Sequence, residues 1–161
     1  MYIPSKMQLL MNSALADTGY WKALLKVQDP YSSASEKVRR DFIRQGVKFL
    51  CPWPCVYETL NTEVLGKWEV PTSFQKRLKT ILLHVEFVDD EPYRDESMAT
   101  FSEFRSTLPP HLHKASLVDR IVWAMIADPT LRITHFVHGN PSDFNAVKGY
   151  FPRIQTIDLT Q

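Results

Sequence analysis

Residues 7–25 read MQLLMNSALADTGYWKALL, and the change of character at Asp17 decides the fold. The stretch before it is mostly apolar and ends Ser13-Ala14-Leu15-Ala16, which predicts a buried strand. Asp17-Thr18-Gly19 breaks that strand. Tyr20 to Val27 then carries a helical pattern up to the stop at Asp29-Pro30. The same apolar stretch follows Lys6 and ends Ala14-Leu15-Ala16, reminiscent of a signal-peptidase site. It is short for that role and interrupted by Asn12 and Ser13, so the expectation is a first strand in a cytoplasmic protein.

The alternation continues along the chain. Ser33 or Ser35 is placed to cap a helix that runs to Gln45, with Gly46 as its stop. Val47 to Cys51 reads as a strand. Pro54 opens a helix with Val56, Tyr57, Leu60 and Val64 on one stripe. Helical spacing returns at 71–83 and from Tyr93 to Phe104, on either side of a short strand at Val85 to Val88. Ser116 to Ala127 is apolar on nearly every side and is expected to be a buried helix. Leu131 to Val137 and Ile154 to Ile157 read as strands, with a short helix over 142–149 between them. Strands alternating with helices predict an α/β fold, a parallel sheet covered on both faces. At 161 residues the chain fits a single domain, 1–161.

Composition removes several classes of function. Hydrophobic residues make 44% and charged residues 23%, as in ordinary globular chains, with no sign of a membrane protein. Lys+Arg 19 against Asp+Glu 18 leaves a net charge of +1, so a nucleic-acid partner has to find a local basic patch. The five glycines fit neither G-x-G-x-x-G nor a P-loop. Cys51-Pro52-Trp53-Pro54-Cys55 has no second ligand pair for zinc, so two buried thiols are expected. His111, His113, His135 and His138 form close pairs without a ligand constellation around them. Asp17-Thr18-Gly19 also occurs in aspartic proteases, but those are all-β proteins, whereas here a helix follows directly. A haloacid-type phosphatase needs Asp-x-Asp, and position 19 is Gly.

In parallel α/β sheets, ligands bind beyond the carboxyl ends of the strands. Four acids are expected at that edge. Asp17 follows strand one, Glu58 lies early in the helix after strand two, Asp119 is in the first turn of the buried helix, and Asp143 follows strand 131–137 near Asn140. Grouped carboxylates repel one another and need a cation, and an oxygen-only donor set suits Mg²⁺ or Mn²⁺. Such a metal serves phosphodiester hydrolysis without a glycine-rich phosphate cradle.

Four motifs in this order resemble the PIN-domain family. They are Asp17-Thr18-Gly19-Tyr20-Trp21-Lys22-Ala23-Leu24-Leu25 with Asp29-Pro30-Tyr31, then Pro54-x-x-x-Glu58, then Ser116-Leu117-Val118-Asp119, and finally Thr134 with Asn140-Pro141-Ser142-Asp143-Phe144. The resemblance implies a three-layer α/β/α, Rossmann-like fold and a Mg²⁺- or Mn²⁺-dependent ribonuclease. It further implies single-stranded or loop RNA as substrate, and a small antitoxin partner if the protein is a toxin of a toxin–antitoxin pair. Homodimers are common in the family. Asp17, Glu58 and Asp119 would carry the metal, completed by Asn140 or Asp143, with Thr18 and Thr134 positioning a carboxylate or water. The stretch His135-Phe136-Val137-His138-Gly139 makes the last motif longer than its compact form, and Arg120 stands where a small residue is common.

Plainer readings stand beside these. Ser116 and Asp119 also make a capping box, and Glu58 and Asp143 also suit helix starts. Lys37/Arg40/Arg44 and Lys76/Arg77/Lys79 read first as solvated helix faces. With RNA bound they become candidate phosphate contacts, together with Arg94 and Arg120. The alternative to an enzyme is a catalytically silent module of the same fold that binds RNA or protein.

Overall fold

A computed structural model describes residues 12–26, 28–63, 76, 79–81, 83–103, 116–141, 149 and 151–161. Five parallel strands form one sheet: β1 (Ser13–Ala16), β2 (Lys48–Pro52), β3 (Val85–Val88), β4 (Ile133–His138) and β5 (Gln155–Asp158). Their order is β3-β2-β1-β4-β5, so the chain moves outward from β1 to β3 and then returns to β1's other side. The helices whose bounds lie within the described residues are α1 (Thr18–Leu25), α2 (Ser32–Gln45), α3 (Trp53–Glu63), α4 (Glu91–Glu103) and α5 (Leu117–Ala127). The expected α/β architecture with a central parallel sheet is the one observed.

Every residue of β1 is buried, as a central strand requires. The core beside it is aromatic. Phe49 of β2 stacks on Tyr20 at 5.3 Å between ring centroids and also meets Trp21 and Phe42, which joins α1 and α2 to the sheet. Trp21 Nε1 donates to the Ala16 carbonyl at 3.1 Å, tying α1 back to the strand it leaves.

Gly46 ends α2 as expected. Its φ of +68° is the left-handed conformation that glycine adopts without a steric cost, and the Val47 N–H closes back on the Phe42 carbonyl at 2.9 Å. Lys37, Arg40 and Arg44 are exposed, and Arg44 pairs with Asp41 on the same helix.

Several boundaries differ from the expectation. Neither Ser33 nor Ser35 caps α2, which starts at Ser32 with Tyr31 as its N-cap and no side-chain cap; the Ser35 hydroxyl instead donates to the Tyr31 carbonyl at 2.9 Å. Helix α4 starts at Glu91 instead of Tyr93, because Asp89 Oδ1 accepts the Glu91 N–H at 3.1 Å and Pro92 fits the first turn. Strand β4 starts at Ile133 instead of Leu131, because Pro129–Leu131 form a 3₁₀ turn capped by Asp128. The predicted strand over 7–16 is described only from residue 12, and within the described residues it runs Ser13–Ala16. The predicted helices over 71–83 and 142–149 fall largely outside the described residues. Among the described residues no helix is long and apolar enough to cross a membrane.

Candidate functional site

The strand order reverses between β1 and β4, and a parallel sheet opens a crevice at that point beyond its carboxyl edge. A pocket of about 200 Å³ lies there, lined by Asp17, Thr18, Gly19, Cys55, Glu58, Val118, Asp119, Val122, Gly139 and Asn140. Each comes from the end of an element: β1 into α1, the first turns of α3, the first turns of α5, and the residues after β4. Three acids expected at this edge, Asp17, Glu58 and Asp119, line it together with Asn140.

Asp17 is the N-cap of α1, with Oδ1 accepting the Tyr20 N–H at 2.8 Å. Oδ2 accepts the Gly139 N–H at 3.2 Å, and Asp17's own N–H donates to the Val137 carbonyl. These bonds fasten the carboxylate across the β1–β4 junction. It is only 7% exposed. Burial pushes its pKa up to about 6, against the opposing pull of the Tyr20 and Gly139 N–H groups and with the charge of Asp119 adding to the rise.

The other two acids are each bound by a neighbouring hydroxyl. The Thr18 hydroxyl donates to Glu58 Oε2 at 2.5 Å. Asp119 Oδ2 accepts from Ser116 N–H at 2.9 Å and from its hydroxyl at 2.8 Å, completing the capping box of α5. The capping reading of Ser116 and Asp119 therefore holds at the same time as Asp119 faces the pocket. Among the described residues no three Asp, Glu, His or Cys side chains are gathered closely enough to hold a metal ion. The donor chemistry, three carboxylates and an amide carbonyl around one pocket, fits a hard divalent cation. The side-chain arrangement, with Glu58 and Asp119 turned to Thr18 and Ser116, does not close a coordination shell.

The remaining candidates separate. Asp143 lies outside the described residues. Thr134 is the second residue of β4, at the end of the sheet opposite the pocket. Its hydroxyl donates to the Ser13 carbonyl at 3.3 Å and lies 2.8 Å from His135 Nδ1. Arg94 grips Asp90 one turn back through two hydrogen bonds of 2.6 and 2.9 Å, holding that carboxyl below its ordinary range. Arg120 is buried on α5 and does not line the pocket.

Cys55, Gly139 and the apolar Val122 line the pocket without having been singled out from the sequence. Cys55 is three residues before Glu58 and so shares its helix face, a spacing visible in the sequence. Burial, with the charges of Asp17, Glu58 and Asp119 nearby, pushes its thiol up to about 12, so it stays protonated, and both cysteines are free and buried as expected. Gly139 gave no sequence signal. A Cβ on Gly19 would stand 3.3 Å from Asp17 Oδ1 and 3.4 Å from Gly139 Cα, whereas a Cβ on Gly139 meets nothing nearer than 3.6 Å. Gly19→Ala is therefore expected to crowd and further desolvate the carboxylate, moving the Asp17 titration upward in a carbon-detected NMR pH series. Gly139→Ala should leave that titration in place. Equal titrations in both variants would remove the close-packing argument.

No protein-family model matches the chain, and no curated protein matches it. Among solved structures, the chain is similar to VapC20 of Mycobacterium tuberculosis, a toxin that cleaves the sarcin-ricin loop. The TM-score is 0.57 at 15% identity, over 83% of this chain and 94% of that one. A tyrosyl-tRNA synthetase of Leishmania major also aligns, with a TM-score of 0.46 at 18% identity, over 92% of this chain but 32% of that one. At this identity the likeness to VapC20 is one of fold.

Proposed function

We propose that this protein is a metal-dependent endoribonuclease of the PIN type, acting on single-stranded or loop RNA. The observation that carries the reading is Asp17. It is a buried carboxylate at the topological switch point, ionised at neutral pH, with Asp119 and Glu58 lining the same pocket. Collected negative charge with a costly ionised member is a cation-seeking arrangement. Asp17, Glu58 and Asp119 would hold Mg²⁺ or Mn²⁺, with Asn140 or Asp143 completing the set. A divalent cation there stabilises charge building on a phosphodiester and lowers the pKa of water. Thr18 fixes Glu58, and the N–H groups of Tyr20 and Gly139 fix Asp17. The chain's own contribution is thus a set of carboxylates held in place before substrate arrives.

The fold likeness to an RNA-cleaving toxin supports a role as a toxin in the cytoplasm, silenced by a small antitoxin, and a homodimer belongs to the same reading. The hydrogen bonds that occupy Glu58 and Asp119 favour a second reading, a silent binding module of the same fold. Metal binding separates the two. At a hundredfold excess over Kd, Mn²⁺ is expected to stabilise the wild type by about 3 kcal/mol. That is roughly 5–10 °C in Tm. The shift should vanish in Asp17→Asn. A wild-type Tm that ignores millimolar Mn²⁺ and Mg²⁺ would leave the silent module standing.

A further inference from the structure

Helix α3 carries two different surfaces. Cys55 and Glu58 face the acidic pocket, while Trp53 and Tyr57, one turn apart, project on another side. Trp53 stacks on Phe87 of β3 at 5.2 Å between centroids with planes 23° apart, and it meets Tyr57 at 5.8 Å and 32°. The three rings form a stepped stack in the order Phe87, Trp53, Tyr57. Trp53 and Phe87 also line an apolar cavity of about 230 Å³ with Cys51, Val56 and Leu60, which accounts for their inner faces. Among the described residues nothing accounts for the outer end of the stack, where Tyr57 is 66% exposed.

We propose that Trp53, Tyr57 and Phe87 form a stacking platform for an unpaired nucleobase of an RNA strand, set beside the acidic pocket. The proposal rests on the ribonuclease reading for the class of polymer. Flat rings stepped at 23° and 32° to one another, with one open end, offer a face to the π-face of a base, and stacking of this kind accepts any base. Tyr57 directly precedes Glu58, and about 100° of helix rotation separates their side chains by roughly 8 Å. A single strand bridges that distance between neighbouring nucleotides. The bases of a duplex are stacked on each other and cannot reach the platform, so this subsite selects single-stranded or looped RNA.

The test is binding of a labelled oligoadenylate to the full chain in the presence of a chelator, which separates binding from cleavage. A perfect oligoadenylate–oligouridylate duplex is the control. Tyr57→Ala is expected to weaken single-strand binding about tenfold, with Tyr57→Phe near wild type and duplex binding weaker and unchanged by either substitution. Circular dichroism and Tm of the variants check that the exposed site leaves the fold intact. Equal single-strand affinity in Tyr57→Ala and wild type overturns the platform. So does loss of self-association in Tyr57→Ala with RNA affinity unchanged, which makes the stack a protein contact. If the wild type cleaves RNA while Tyr57→Ala binds it normally, the platform fails and the ribonuclease reading stands. If RNA binds through Tyr57 but no divalent metal elicits cleavage, the ribonuclease reading fails and the platform stands.

Discussion

Asp17→Asn is expected to abolish RNA cleavage and, at the same time, to make the protein more stable at neutral pH. Removing a charged group on which the reaction depends should lower the rate by at least about a hundredfold, in line with the loss of other preorganised electrostatic groups. The stability change has the opposite sign for a separate reason. Burial raises the Asp17 pKa to about 6 in the folded protein, above the ordinary carboxyl value of 3.8. Between roughly pH 4 and 6 the folded state therefore keeps a proton that the unfolded chain has released. Folding stability falls as pH rises through that window and levels off above it. A shift of about two pH units corresponds to roughly 3 kcal/mol at neutral pH. Asparagine keeps the cap on Tyr20 but loses one acceptor toward Gly139, which returns about 1 kcal/mol. The net gain expected is ~1–2 kcal/mol at neutral pH and none at pH values well below the window. Urea unfolding of both proteins across that range measures it. A variant that is less stable than wild type at neutral pH would show that the carboxylate is not held at a cost.

Phe49→Ala is expected to lose about 3–5 kcal/mol, the largest stability effect of any single truncation considered for this fold. Phe49 is 1% exposed and is the ring on which Tyr20, Trp21 and Phe42 converge. Its removal leaves a cavity beneath both α1 and α2. Because α1 begins at the Asp17 cap, the loss should also loosen the pocket. The fall in Tm should be roughly 10–15 °C for a chain of this size. Tyr57→Ala, at an exposed position whose ring meets only Trp53 among the described aromatic rings, is the matched control and should stay within about 1.5 kcal/mol of wild type. A loss below ~1 kcal/mol for Phe49→Ala would mean that the aromatic cluster is not the core of this face.

Much of this is legible in the sequence because local signals and the global fold agree. Ser13 to Ala16 is short, small and apolar, and it occupies the centre of the sheet. Gly46 stops α2 by its backbone conformation, and Val85 to Val88 has the bounds the sequence suggests. The edge argument then brings Asp17, Glu58 and Asp119 to one pocket from three separate helix starts. What the sequence conceals is rotational and directional detail. Thr134 belongs to the same motif as Asn140, yet five residues of strand at about 3.3 Å each carry it roughly 16 Å from Gly139. Arg94 is drawn to Asp90 one helical turn away, a local pairing that acts before any substrate. The capping bond from Ser116 to Asp119 is also local, whereas Thr18 reaches Glu58 from another helix 40 residues away, and the two bonds decide where the carboxylates point. The aromatic stack depends on the pairing of β2 with β3, which sets Phe87 beside Trp53.

On the proposed function, the carboxylate pocket between β1 and β4 would cleave RNA with a divalent cation. The most direct test of this reading is cleavage of a labelled single-stranded RNA by the purified wild type with Mn²⁺, with Mg²⁺ and with excess chelator, beside Asp17→Asn. The expected result is cleavage by the wild type in Mn²⁺ or Mg²⁺, none with chelator and none by the variant. Cleavage that persists in chelator, or at equal rates in wild type and Asp17→Asn, would contradict it.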